Sequence, residues 1–173
     1  SLACLLRFYL QLFRVHYDNP LSKFLIAVTN FIVLPTRRVI PSWKGFDLST
    51  FFLAWIGQLL IMASTSFIQG YELETVSGNT MIGFGLLSLL ELVRLTLYIV
   101  MAMVIVQAIL SWINPYSPIA PLLTSFTRPI LGIFQRFIPP IANVDLSPLF
   151  VLVAVQLLLM VLTGLQQEIA VLF

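Results

Sequence analysis

Three long stretches of this chain carry apolar side chains almost without interruption. They run from Leu48 to Gln69, from Leu95 to Ile113 and from Leu146 to about Gln167. Each has the roughly 20 residues that an α-helix needs to cross a hydrocarbon core of about 30 Å. A fourth apolar run, Leu2 to Phe13, is shorter and reads as the end of a spanning helix cut short at its start. The sequence opens on Ser1 rather than methionine, so an incomplete N-terminus is expected, and residues 1–13 are not read as a signal peptide. The second run also extends backwards: Met81 to Ile113 reads as one helix of about 50 Å. Counting back about 20 residues from Ile113 puts the far interface near Val93. Glu91 and Arg94 then sit at the membrane surface, one turn apart and able to pair. Residues 81–90 would project beyond the lipid although they are apolar. They are expected to lie along the interface, to fold back, or to be covered by another protein.

The polar positions between these runs set an orientation. Residues 14–47 hold Arg14, Lys23, Arg37, Arg38 and Lys44, and residues 114–145 hold Arg128 and Arg136. The short turn from Gln69 to Thr80 holds Glu72 and Glu74 and no basic residue. Basic connections stay on the cytoplasmic side of a membrane. Both long connections are therefore expected to face the cytoplasm, and the acidic turn and both termini the other side.

The chain also matches itself. At a shift of 98 residues Pro20 falls on Pro118, Leu25 on Leu123, Thr29 on Thr127, Arg38 on Arg136 and Ile40-Pro41 on Ile138-Pro139. Asp47-Leu48-Ser49 falls on Asp145-Leu146-Ser147, and Gln58-Leu59-Leu60 on Gln156-Leu157-Leu158. Apolar composition alone can align leucines, but not prolines, arginines and Asp-Leu-Ser at one offset. A tandem duplication is the reading. Each copy holds two spans, so the copies share one orientation and relate by an axis near the membrane normal.

The connection inside each copy is long and mostly apolar. In copy one Ser22, Lys23, Thr29 and Asn30 recur at heptad spacing; in copy two Ser125, Arg128, Gly132 and Gln135 fall on one stripe. A narrow polar stripe on an apolar helix suits a membrane interface. Pro35, Pro41, Pro129, Pro139 and Pro140 are expected to divide these stretches into short helices. Lys23, Arg37, Arg38, Arg128 and Arg136 are candidates for contact with anionic headgroups or a partner. Asp47 and Asp145 read as helix caps, with Pro148 in the first turn of its helix. An ion or ligand site built from the two aspartates is the other reading.

Composition agrees with the pattern. Of 173 residues 60% are hydrophobic and 9% charged, too few charges to coat a water-facing surface. The net charge of +2 gives no footprint for nucleic acid. Cys4, the single cysteine, can form no intrachain disulfide, and His16, the single histidine, reads as an interfacial residue rather than a haem or metal ligand. No triad, carboxylate pair, phosphate loop or metal spacing stands out, so no enzyme chemistry and no cofactor are expected. Arg7 is the one charge deep in an apolar run. It either reaches back to the interface or a carbonyl, or anchors one helix to another through Gln58, Gln107 or Gln156, the polar groups inside the spans.

One set of motifs is specific. Copy two carries Ser111-Trp112, Thr127-Arg128-Pro129-Ile130, Arg136-Phe137-Ile138-Pro139 and Asp145-Leu146-Ser147-Pro148. Copy one carries Arg7, Asn19-Pro20, Pro35-Thr36-Arg37-Arg38-Val39-Ile40-Pro41 and Gly45-Phe46-Asp47-Leu48-Ser49. In these blocks the chain resembles the YggT (YlmG) family over nearly its whole length. It departs at Phe31, Thr50, Gln135 and Asn143, leaving copy one the more basic and copy two the richer in proline. The resemblance implies roles as varied as osmotic tolerance in bacteria, division or nucleoid placement in cyanobacteria and plastids, and assembly of a haem-bearing cytochrome. It implies no shared reaction.

The expected architecture is an all-α membrane protein with two tandem parallel repeats, each of two transmembrane helices joined by interfacial amphipathic helices. Repeat one covers residues 1–69, the acidic turn and apolar extension residues 70–94, and repeat two residues 95–173. The expected function is that of a non-enzymatic accessory or assembly subunit of a larger complex in the bacterial inner membrane, with lipids and other membrane subunits as partners. A small channel or transporter subunit acting in osmotic or ion stress is the alternative; four helices with so few polar groups make a poor pore alone.

Overall fold

The computed structural model describes residues 1–13, 19–40, 47–69, 78–114, 117, 119–137 and 145–172. Six helices follow one another: α1 (Leu2–Leu12), α2 (Pro20–Val39), α3 (Leu48–Ile68), α4 (Gly78–Ile113), α5 (Ala120–Phe137) and α6 (Ser147–Leu172). Segments Leu48–Ile68, Met81–Ser111 and Ser147–Leu172 are long and apolar enough to cross a membrane, whereas α1, with 11 residues, is not. The basic connections His16 and Pro41 fall in, and the acidic turn with Glu72 and Glu74, reach outside the described residues, as do Pro139 and Pro140.

Local chemistry explains where α2 begins. Asn19 caps it by accepting the Ser22 amide at 2.7 Å, and Pro20 fills the first helical position, where a missing N–H costs nothing. Its interior corrects one expectation. Pro35 lies inside α2 and Pro129 inside α5, and neither ends its helix. Each proline removes one backbone bond, leaving the carbonyls of Phe31 and Ser125 without their usual helical amide. Packing of α2 on α1 and of α5 on α4 and α6 holds each helix together through its proline.

The long α4 is shared by the rest of the fold. Its 36 residues amount to about 54 Å, well beyond a hydrocarbon core of about 30 Å. Its first half packs on α3, where the Trp55 indole donates to the Ser88 hydroxyl at 2.8 Å. The apolar extension 81–90 therefore neither folds back nor leaves the bundle. It continues α4 unbroken, with Gly83 and Ser88 buried, and Met81, Ile82, Leu86 and Leu89 exposed. The chain's own α3 covers one side of it, and the boundary expected at residue 94 falls inside one helix. We expect Trp55→Phe to lower stability by about 1 kcal/mol, the worth of one buried hydrogen bond; an unchanged unfolding midpoint in detergent would show that the indole bond holds nothing.

The interior joins helices from both ends of the chain. Leu5 of α1, Ala54 of α3, Val104 of α4, Phe126 of α5 and Val151 of α6 belong to one cluster, each nearly inaccessible. Phe126 reaches across to α1, its ring 5.0 Å from Phe13 and 6.0 Å from Tyr9 in edge-on contacts. A smaller cluster holds Leu10, Leu25, Leu122 and Leu123. Where α1 passes α3, Gly57 permits the approach: a Cβ there would lie 3.2 Å from the Ser1 backbone nitrogen.

Candidate functional site: polar ties between apolar helices

In so apolar a chain the polar side chains are the informative ones, because each must find a partner when water is excluded. Arg7, only 6% exposed, donates to the Thr29 hydroxyl at 2.7 Å and to the Asn30 side-chain oxygen at 2.9 Å. Thr29 passes its own proton to the Leu25 carbonyl at 2.6 Å. Arg7 thus ties α1 to α2, and the anchor runs to this pair rather than to Gln58, Gln107 or Gln156. The reason is geometric: α2 lies on α1 and presents two polar side chains to it.

A related tie joins α4 to α5. The Gln107 side-chain amide meets the fully buried Thr127 hydroxyl, which also binds the Leu123 carbonyl at 2.8 Å. Thr29 and Thr127 are the residues that coincide at the 98-residue shift, and so are their carbonyl partners Leu25 and Leu123. The coincidence of the two threonines was visible in the sequence; that they face inward was not.

The two aspartates behave differently. Asp47 occupies the cap position of α3, yet its side chain makes no capping bond. Its carboxylate is instead held by the Arg37 guanidinium, with Nε at 3.2 Å and Nη2 closer still. The Asp47 side chain is wholly buried, and its second oxygen has no partner among the described residues. The carboxylate thus meets the guanidinium through Oδ2 and gives the helix amides neither oxygen. Arg37 thus holds Asp47 through Nε and Nη2, while its side chain stays 37% exposed. Asp145 does cap: Oδ1 accepts the Ser147 amide at 2.8 Å, and Oδ2 accepts from Gln135 at 2.8 Å. Burial pushes its carboxyl up, but the bonds from Ser147 and Gln135 outweigh that and hold it below the usual value. Arg37 and Gln135 coincide at the 98-residue shift, so an arginine–aspartate pair stands in one half where a glutamine–aspartate pair stands in the other.

The remaining ties join α4 to α6. Arg94 donates to Glu91 at 2.8 Å, as the sequence spacing predicts, and also to Thr163 at 3.2 Å, while Gln166 donates to the same Glu91 oxygen at 3.0 Å. Thr163 and Gln166 carry no signal in the sequence beyond their polarity. Gln58 is half-buried on α3, and Gln156 is exposed on α6 with a distant 4.0 Å contact to the Met101 sulfur.

The two connections differ from each other. In α2 the polar Ser22 and Thr29 face inward, and Phe24, Val28, Phe31, Ile32 and Leu34 are exposed. In α5 the exposed residues include Ser125, Arg128, Gln135 and Arg136, and Leu122, Leu123 and Phe126 are buried. The inward turn of the α2 stripe follows from Arg7, which draws Thr29 toward α1. Lys23, Arg38, Arg128 and Arg136 lie on exposed positions. Among the described residues no group of three metal-binding side chains comes together.

An all-helical chain with three helices able to cross a membrane, tied at its helix contacts by single polar side chains, defines a helical membrane protein. The sequence profile of the CCB3/YggT family matches residues 1–68 and 86–166, and the chain belongs to that family. An uncharacterised protein of Pseudomonas aeruginosa is 33% identical over 179 residues, covering 98% of this chain and 89% of the relative. The Escherichia coli K12 protein YggT, described as uncharacterised, is 32% identical over 152 residues, 86% of this chain and 75% of the relative. A Vibrio alginolyticus relative is 30% identical over 156 residues, 90% of this chain and 82% of its own length. No solved structure matches.

Proposed function

We propose that this chain is a non-catalytic accessory or assembly subunit of a larger membrane complex, built from two tandem copies of a helix–connection–helix unit. The observation that carries the reading is how the polar side chains near the spans are used. Arg7 with Thr29, Gln107 with Thr127, Arg94 with Thr163, and Glu91 with Gln166 each join two neighbouring helices. A permeation path or a catalytic centre needs such groups to converge on one cavity; these are dispersed as local ties. Helices α4, α5 and α6 repeat the order apolar helix, proline-bearing helix, apolar helix of α1, α2 and α3, with threonine and aspartate ties at matching positions.

In this reading the basic connections face the cytoplasm and the termini the opposite side of a bacterial inner membrane. The exposed apolar residues of α2 rest in the inner leaflet, with Arg38 near its C-terminal end on an exposed position open to anionic headgroups. Arg128 and Arg136 do the same for α5. Bound lipid is the only ligand proposed.

Isolation from native membranes in a mild detergent tests this. A partner subunit present in fixed ratio is the expected result, and Arg7→Leu should leave insertion intact while lowering the yield of the complex. A chain that travels alone and conducts ions in liposomes would overturn the proposal in favour of a channel.

A further inference from the structure

The two halves differ in what covers their last helix. Along α3, Trp55, Gln58, Leu59 and Met62 are half-buried, and α4, the helix that opens the second half, packs on α3 at Trp55. At the 98-residue shift the corresponding α6 residues are Val153, Gln156, Leu157 and Met160. All four are exposed, Val153 at 51%, Leu157 at 60% and Met160 at 76%. The same face is thus covered in one half and bare in the other.

We infer that this face of α6 is covered by α6 of a second copy of the chain, across a two-fold axis along the membrane normal. This rests on the membrane reading above and extends it. Three observations select the occupant. First, Leu149, Val153, Gln156, Met160 and Gln167 follow alternating spacings of three and four residues, with Thr163 completing the register, which is the seam of a left-handed helix pair. Second, Gln156 lies ten residues into α6, near mid-span, where, beyond its long 4.0 Å contact to the Met101 sulfur, lipid offers the amide no hydrogen-bond partner. An amide both donates and accepts, so the same glutamine on a second copy satisfies it, and a two-fold axis places the two together. Third, Gly164 borders this stripe, and a Cβ there would meet nothing within 4 Å, leaving room for a neighbouring backbone to approach.

Single cysteines in a Cys4→Ser chain, oxidised in native membranes, test the contact. Val153→Cys, Gln156→Cys and Met160→Cys are expected to give a disulfide-linked homodimer. Leu158→Cys, Val161→Cys and Leu165→Cys, exposed on the other side of α6, are expected to give none. Gly164→Leu should abolish the dimer band, and Gln156→Leu should weaken association roughly fivefold, the worth of one interhelical polar bond. Equal cross-linking at all six positions, or none at the stripe, overturns the inference. Cross-linking of the stripe to a different polypeptide also overturns it but leaves the accessory-subunit reading standing. A homodimer from membranes that yield no other subunit does the reverse.

Discussion

Replacing Phe126 with alanine is expected to destabilise the protein by about 3–5 kcal/mol, the usual cost of removing a buried aromatic ring. The side chain is 1% exposed and carries the edge-on contacts to Tyr9 and Phe13. It is the described ring that fastens the connection of the second half to the first helix of the first half, so its loss opens a cavity between the halves as well as inside one. The residue at the corresponding position of α2, Val28, is 44% exposed and packs outward. Val28→Ala should therefore change stability by less than about 0.5 kcal/mol. Unfolding of both variants by sodium dodecyl sulfate in mixed micelles checks the contrast. Equal effects would mean that the rings of α1 and α5 do not hold the halves together.

Arg37→Ala is expected to cost about 3 kcal/mol, at the low end for breaking a buried ion pair because the arginine side chain is itself 37% exposed. The loss comes from Asp47, whose buried carboxylate would be left without the guanidinium. In the other half Gln135→Ala should cost less than about 1 kcal/mol, because Asp145 is exposed and keeps the Ser147 amide. Adding Asp47→Asn to Arg37→Ala should restore part of the lost stability, since no buried charge then remains. If the double variant is less stable than Arg37→Ala by the full cost of a separate buried substitution, the pair is not the source of the loss.

Much of this was legible without coordinates. The three apolar runs of about 20 residues correspond to α3, the second half of α4, and α6 within a few residues. The Glu91–Arg94 pair was legible because its partners sit on one helix, where spacing decides contact. Arg7 was visible as a charge that needed a partner, but its partners lie on another helix. So do those of Gln107 and Asp47. Spacing within a helix says nothing of which neighbour it meets, and for that reason the glutamines were reasonable candidates and the threonine was the residue found. The prolines misled for a related cause: their effect depends on whether packed neighbours can hold the helix across the broken ladder.

The amino-acid order alone determined which stretches are long and apolar enough to cross a membrane, where the long helices lie, and that two stretches share a pattern at one offset. Those properties depend on composition and on distances along the chain, which one dimension contains. Only the tertiary structure decided that α2 turns Ser22 and Thr29 inward, that Asp47 pairs while Asp145 caps, and that α4 lends a face to both α3 and α6. Each of these turns on which helix stands beside which. In a bundle where nearly every surface is apolar, hydrophobicity cannot choose the neighbour, and a handful of polar ties and close-fitting rings make that choice.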